Sequence, residues 1–254
     1  MKTPPILGVQ VKRREFLLAS ASLAGFMIPG ETSGASSSTP STISAGIYTT
    51  NFPLMENPIS EGGVWHHLDP TLTVVGTEVL GGVHVAHGTQ TGSGGYDDSN
   101  AYLSGFAENQ SIQATIWISP SISSSPNREV ELLLRWRDDN PPRGTRYGIT
   151  SVTGYEININ QTGQYLQLGT FKGPLLASAG SPPVPKTGDI FKAQIITNPN
   201  GSATIIVYWN GVEKINYTHS KPVTGGNPGI GFYIDSGARN NEFGFSSVTA
   251  SGEA

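Results

Sequence analysis

Two acidic side chains that lie two residues apart, Glu129 and Glu131, are the first candidates for chemistry. In an extended strand such neighbours share a face and lie ~6.5–7 Å apart, because each residue rises ~3.3 Å. Retaining glycosidases use two carboxyl groups ~5 Å apart. The pair therefore indicates acid–base chemistry on a glycoside, or alternatively a polar sheet face in which Glu131 pairs with Arg135 or with a neighbouring strand.

A second group combines planar donors with an aromatic hydroxyl: Arg135, Arg137, Tyr165 and Gln167. A polysaccharide lyase needs one group that neutralises a uronate carboxylate and another that removes the α-proton, and this group contains both kinds. The same side chains also suit sugar binding without chemistry. Arg and Gln offer planar donors to hydroxyl or carboxylate groups, and Tyr offers a ring with a polar tip. The group therefore predicts a saccharide site, catalytic or not.

Oxygen ligands for a cation occur in one short segment, at Asp97, Asp98 and Asn100. Calcium takes such hard ligands from loops, so the segment predicts an optional calcium site in a protein that requires no cofactor. The alternative is a turn in which these side chains bond to the backbone. Trp117, at an otherwise polar position, either stacks on a sugar or lies buried beneath a loop.

Alternation identifies the strands that must position these residues, because successive side chains in a strand point to opposite faces. In REVELLLRWR the alternate apolar residues from Val130 to Trp136 form the core face, and Glu131, Arg135 and Arg137 point the other way. The same rule places the other candidates on polar faces, which become one surface if the strands share a sheet. The predicted ligand surface consists of Arg135, Arg137, Tyr165, Gln167, Glu131, Asn158 and Trp117.

Short β-rich runs continue from about residue 46 onward, separated by Gly, Pro, Asn and Asp, and no amphipathic helix interrupts them. Asn210-Gly211 predicts a two-residue hairpin, because a type I′ turn needs positive φ at both positions. The spacing favours an all-β sandwich or jelly roll in a single domain, 46–254. The predicted strands are 72–80, 110–119, 128–137, 154–160, 164–171, 190–197, 203–209, 212–218, 229–234 and 241–250.

Composition narrows the class of protein. The chain has 254 residues with 32 Gly, 18 Pro and 13% charged residues, which is typical of turn-rich extracellular β domains. The net charge of −4 argues against a nucleic-acid-binding protein, because such proteins usually carry an excess of Lys and Arg. Because the chain contains no cysteine, disulfides, thiol nucleophiles and cysteine metal sites are excluded.

The N-terminus predicts an export signal rather than part of the fold. A basic segment with Arg13-Arg14 precedes the apolar run LLASASLAGFMI and a small-residue stretch, and the run is short for a membrane span. The segment resembles a twin-arginine signal, which implies the twin-arginine export machinery as a partner. We predict cleavage after Ala35, a Ser/Thr-rich linker at 36–45, no membrane span after cleavage, and a periplasmic or secreted bacterial protein.

Four segments resemble the concanavalin A-like lectin/glucanase superfamily in its bacterial laminin-G-like branch. These are NPISEGGVWHHL, YDDSNAYLSGF, LLLRWRDD with GYEINI, and the closing stretch from VYWNGVEKINYT to NEFGFSSVTA. In this order they cover most of residues 50–250, and the closing stretch is the most specific. The resemblance implies a jelly-roll β-sandwich of two antiparallel sheets.

The superfamily contains lectins, glycoside hydrolases, polysaccharide lyases and non-catalytic modules, so the fold alone does not choose a function. Related glucanases carry Glu-x-Asp-x-x-Glu, whereas this chain has leucine at the third acidic position, Leu134. The Gln-x-His step of jelly-roll alginate lyases is missing. The resulting prediction is an exported carbohydrate-associated binding or accessory protein, with a polysaccharide lyase or a glycoside hydrolase as the alternative.

Overall fold

The computed structural model describes residues 46–68, 73–90, 98–138 and 152–253. The predicted signal with Arg13 and Arg14, the linker, and Asp97 lie outside these described residues. Within the described ranges, no helix has the length and apolarity needed to cross a membrane.

Fourteen strands and one short 3-10 turn (Asn240–Glu242) make up the regular structure of the described chain. The strands are β1 (Ile47–Thr50), β2 (Gly76–Leu80), β3 (Val83–His87), β4 (Ser99–Tyr102), β5 (Asn109–Ile118), β6 (Arg128–Asp138), β7 (Val152–Asn160), β8 (Leu166–Thr170), β9 (Leu175–Ser178), β10 (Ile190–Thr197), β11 (Ala203–Trp209), β12 (Val212–His219), β13 (Asn227–Ile234) and β14 (Phe243–Glu253).

The strands form two antiparallel sheets. One sheet has eight strands in the order β12-β11-β10-β5-β14-β3-β2, with β1 added on β14, and the other has six in the order β4-β13-β6-β7-β8-β9. Their facing sides share one apolar core, to which Ile112 of β5, Leu132 of β6 and Ile157 of β7 contribute fully buried side chains. Alternation therefore assigns the core face correctly along most strands, and the predicted all-β jelly-roll sandwich is confirmed.

The predicted hairpin at Asn210-Gly211 is also confirmed. The two residues join β11 to β12 with φ values of 49° and 78°. Both lie in the left-handed region that a type I′ turn requires, and glycine adopts it without steric cost. The turn therefore holds the edge of the eight-stranded sheet.

A β-bulge reverses the alternation of β6 near its end. Leu134 pairs with Tyr155 whereas Arg137 pairs with Thr153, so β6 contains one extra residue relative to β7. Arg135 occupies this position with a φ of 50°. A bulge adds one residue on one strand only, so every side chain after it changes face.

The bulge overturns the face assignment made from the sequence. Leu134 packs in the core between the sheets, whereas Trp136 packs with Leu133 on the opposite face. The prediction that Trp136 shares the core face is therefore wrong. Arg135 turns toward the other sheet, and its Nη2 donates to the hydroxyl of Thr197 in β10 at 2.6 Å.

The segment NPISEGGVW is a structural brace. The indole Nε1 of Trp65 donates to the Tyr48 hydroxyl at 2.9 Å, and that hydroxyl donates to the buried Glu61 carboxylate. Thr50 donates to the second oxygen of the same carboxylate at 2.5 Å. Burial, followed by the hydrogen bond to Glu61, raises the pKa of Tyr48. The network fastens the loop before β2 to β1 and supplies no ligand group.

Candidate functional site

The outer face of the six-stranded sheet carries the candidate site. Strand pairing aligns one residue from each strand in a straight line, which we call the central row. Its members, in order across β4, β13, β6, β7, β8 and β9, are Asn100, Gly231, Glu131, Asn158, Gln167 and Ser178. Glu129 and Asn160 pair on one side of this row, and Leu133 and Glu156 pair on the other.

The floor of this face is polar and buried. Asn100 is 4% exposed, Glu131 1% and Asn158 9%, while Gln167 is only half-buried. These side chains point away from the core between the two sheets, so they are not buried by packing of one sheet against the other. Burying carboxylates and amides costs free energy unless partners satisfy them, and here the Asn158 amide is satisfied by Glu129 and Glu156.

Gly231 leaves the space in which two oxygen atoms converge. A methyl group at this position would overlap Oε2 of Glu131 and lie 2.6 Å from Oδ1 of Asn100. In the described chain, the buried Oδ1 of Asn100 has no hydrogen-bond partner. Glycine inside a strand often marks the close approach of a ligand or of another backbone. Here it creates a cradle of acceptor atoms near the β4 edge of the sheet.

Glu129 organises the half-exposed side of the face. Its Oε1 accepts from the Tyr165 hydroxyl and, at 3.1 Å, from Asn127 Nδ2, and its Oε2 accepts from Asn158 Nδ2 at 3.0 Å. Burial, and then the charge of Glu129, raise the pKa of Tyr165. The tyrosine therefore stays a neutral hydroxyl, and its ring is held at the rim of the face.

A second carboxylate approaches the same amide. Asn158 Nδ2 donates to Glu156 Oε1 at 3.5 Å as well as to Glu129 Oε2. Because both oxygens lie within hydrogen-bond distance of one nitrogen, they are at most about 6.5 Å apart, and the two carboxylates lie on either side of the Asn158 amide. Glu129, Glu131 and Glu156 all make further interactions, so none of these carboxylates is isolated.

The other end of the face is apolar. Trp136 and Phe171 pack edge to face with ring centroids 4.9 Å apart, together with Leu133 and Val152. The ammonium of Lys172 lies 5.6 Å from the Phe171 centroid, and burial lowers its pKa. Trp136 is fully buried and is therefore part of this packing, not a stacking platform.

The structure separates the seven residues of the predicted ligand surface. Glu131, Asn158, Gln167 and Tyr165 do lie on the outer face of the six-stranded sheet. Trp117 lies in β5 of the other sheet and is 8% exposed. The premise of a single sheet is therefore wrong for Trp117.

Arg135 is wrongly assigned to the ligand surface. Its side chain is completely buried and donates to the carbonyls of Glu108 at 3.0 Å and Val223 at 2.7 Å, besides Thr197. Burial lowers the pKa of Arg135, and the negative charge of Glu108 opposes this effect. Arg137 lies past the bulge, half-buried, and donates to the Thr224 carbonyl. Neither arginine belongs to the central row.

Two of the predicted calcium ligands, Asp98 and Asn100, lie within the described residues, and Asp97 lies outside them. The Asp98 carbonyl accepts from the Thr73 hydroxyl at 3.0 Å, and the Asn100 side chain faces Glu131 across Gly231. No group of three or more His, Asp or Glu residues within the described ranges has a metal-binding arrangement. Calcium binding with Asp97 stays a prediction.

Two members of the site were missed as ligand residues. Glu156 follows the same alternation as Asn158 and is detectable from the sequence. Asn100 was interpreted only as a cation ligand. Its position opposite Glu131 depends on the pairing of β4 and β6 with β13, which brings together residues far apart in the sequence.

Comparisons with known proteins give matches only among solved structures. No protein-family model and no curated protein matches the chain. The chain is similar to the carbohydrate-binding module CBM66 from Bacillus subtilis, with 13% identity over 76% of this chain and 96% of that one, at a TM-score of 0.45.

Two further matches have the same character. A Bacillus subtilis protein of unknown function with a galectin-like fold is 10% identical over 82% of this chain and 94% of its own, at a TM-score of 0.49. A glycosidic hydrolase is 11% identical over 84% of this chain and 99% of its own, at 0.43. Such identities transfer no function, and the strand order itself establishes the chain as a jelly-roll sandwich of two antiparallel sheets.

Proposed function

We propose that this chain is an exported carbohydrate-binding protein whose ligand surface is the outer face of the six-stranded sheet around the central row. The observation that carries the proposal is the buried polar floor of Asn100, Glu131 and Asn158 on a face that the core does not need. Export rests on the N-terminal segment with Arg13-Arg14.

The chemistry of the floor suits sugar hydroxyls. Carboxylate and amide oxygens accept hydrogen bonds, and the amide of Gln167 can also donate, so neighbouring hydroxyls find both kinds of partner in one row. The half-buried Tyr165 adds an aromatic edge at the rim. The half-buried Gln167 and Tyr165 are the groups that a ligand reaches first, and the buried floor beneath them holds them in position.

A glycoside hydrolase is the second candidate, and the approach of the Glu129 and Glu156 carboxylates to the same Asn158 amide favours it, because glycosidases use two carboxyl groups that lie close together. The lyase alternative loses Arg135 as a uronate partner, because its guanidinium is buried and bonded to Glu108, Val223 and Thr197, and it keeps Arg137 and Gln167. A binding protein and a glycoside hydrolase would therefore both retain the sugar, and only the hydrolase would cleave it.

The test is a screen of neutral and acidic polysaccharides with the chain from residue 36 onward, in which affinity electrophoresis reports retention and a reducing-end assay reports hydrolysis. Glu131→Gln keeps the size of the side chain and is expected to weaken retention of the identified glycan by about tenfold or more, because it removes a charged acceptor. Glu78→Gln, at an exposed position of β2 in the other sheet, is the matched control and is expected to behave as wild type.

Folding of both variants is checked by thermal melting. If Glu131→Gln melts normally and retains the glycan as wild type does, the floor is not the binding site. Should Glu131→Gln fail to fold, the half-buried Gln167→Ala takes its place. Hydrolysis that disappears in Glu156→Gln while retention persists would support the hydrolase.

A further inference from the structure

A second depression lies on the opposite side of the molecule, on the outer face of the eight-stranded sheet. It has a volume of about 290 Å³ and is lined by Gln113, Ile190, Lys192, Gln194, Tyr208 and Gly211. Their neighbours Ile112, Ala193 and Val207 fill the core, so alternation directs the lining residues outward. The depression is thus separate from the central row.

Strand pairing fixes its polar groups side by side. Lys192 pairs with Gln113 in β5 and with Tyr208 in β11, which places an amide, an ammonium and an aromatic ring in one line. The Lys192 ammonium lies 5.8 Å from the centroid of the Tyr208 ring, and Gln194 Nε2 donates to the Tyr208 hydroxyl at 3.4 Å. All four side chains are half-buried, so they are held in place yet accessible.

Lys192 is the charged side chain among the lining residues of the depression. In the part of the chain that the structure describes, no carboxylate forms an ion pair with Lys192. Glu213 pairs with Tyr208 on its other side, and both oxygens of its carboxylate accept from Asn216 at 3.3 Å. Asp189 precedes the lining residue Ile190, and its carboxylate accepts from Asn210 at 2.9 Å. Because the side chains beside Lys192 are the neutral amides of Gln113 and Gln194, its ammonium can form an ion pair with an anion from solution.

We infer that this depression binds a uronate residue of an acidic polysaccharide. The uronate carboxylate pairs with the Lys192 ammonium, the sugar ring packs against Tyr208, and its hydroxyls bond to the amides of Gln113 and Gln194. The volume is just below the ~300–1,000 Å³ of small-molecule sites, which limits the occupant to a single ring of the polymer.

The inference adds a second ligand class to the molecule. The outer face of the six-stranded sheet presents Glu129, Glu131 and Glu156, whereas this depression presents one cation. A protein with both sites can hold an acidic polysaccharide on one side and another glycan on the other. When both sites are occupied on a matrix that contains both polysaccharides, the protein is retained more strongly than by either site alone.

The experiment measures the affinity of the chain from residue 36 onward for trigalacturonate and trimannuronate, with methyl-esterified trigalacturonate as the uncharged ligand. Wild type is expected to bind at least one uronate trimer, more weakly at higher salt, and not to bind the ester. Lys192→Met is expected to weaken this binding by about tenfold or more, because it removes the charge-assisted hydrogen bond. Lys221→Met, at an exposed position of the loop after β12, is the matched control and keeps wild-type affinity.

Tyr208→Ala separates ring packing from charge, and it is expected to weaken binding while leaving the salt dependence in place. Lys192 and Tyr208 both lie on the surface of the sheet, so thermal melting of their variants is expected to match wild type. The inference is overturned if wild type binds neither uronate trimer, if the ester binds as well as the acid, or if Lys192→Met binds like wild type.

Discussion

Arg135→Ala is expected to lower the free energy of unfolding by at least about 3 kcal/mol, because the buried guanidinium loses its hydrogen bonds to three partner groups and a hydrogen bond to a charged group contributes about 1.5–3 kcal/mol. These groups are the carbonyls of Glu108 and Val223 and the hydroxyl of Thr197. Urea unfolding, followed by intrinsic fluorescence, measures the change. The expected loss of stability does not depend on any ligand, because Arg135 bonds only to groups of the protein itself.

Two further variants sharpen this prediction. Arg135→Gly suits the φ of 50° at the bulge but removes the same hydrogen bonds, so a similarly large loss is expected if the side chain matters more than the backbone. Arg137→Ala, with one described hydrogen bond to Thr224 and a half-buried side chain, is expected to cost ~1 kcal/mol or less. An Arg135→Ala protein that unfolds within ~1 kcal/mol of wild type would show that the buried guanidinium does not hold the two sheets together.

Gly231→Ala is expected to abolish glycan retention while leaving the fold intact. The added methyl displaces the ends of two side chains, Oε2 of Glu131 and Oδ1 of Asn100, and these ends can move. The cradle is thereby filled although no functional group is removed. The affinity for the glycan identified by the screen and the free energy of unfolding are both measured.

Gly229→Ala is the matched comparison in the same strand. Its methyl would lie 2.5 Å from the Ala101 carbonyl oxygen and 3.0 Å from the Tyr102 Cα, and this backbone cannot yield without distorting the pairing of β4 with β13. We therefore expect a loss of stability from Gly229→Ala that is clearly larger than that from Gly231→Ala. Normal glycan retention by Gly231→Ala would show that the cradle takes no part in binding.

The sequence predicts the core of this fold well and its bulge badly. Alternation identifies the buried faces of the long strands, because regular strands obey a period of two. It fails after Leu134, where Arg135 takes a positive φ that is uncommon for a residue other than glycine and has no signal in the sequence. As a result, the sequence analysis assigned Trp136 to the core face and Arg135 to the ligand surface, and both assignments were wrong.

Membership of a sheet is the other property that alternation cannot supply. Trp117 and Gln167 both occupy positions opposite a core residue, yet β5 and β8 belong to different sheets. The short strands β1, β4 and β9, with four residues each, contain too few positions for a pattern. Two of them contribute to the central row, Asn100 of β4 and Ser178 of β9, so the approach of Asn100 to Glu131 could be seen only in the three-dimensional pairing.

The most direct test of the sugar-binding face is to follow the side-chain amide signals of Asn100, Asn158 and Gln167 by NMR during titration with a neutral glycan from the screen. We predict that these three signals shift in a saturable manner, because their amides lie in the central row. The signals of Gln113 and Gln194, on the other sheet, are predicted to remain in place. Saturable shifts of Gln113 and Gln194 with no change at Asn100, Asn158 and Gln167 would contradict the account.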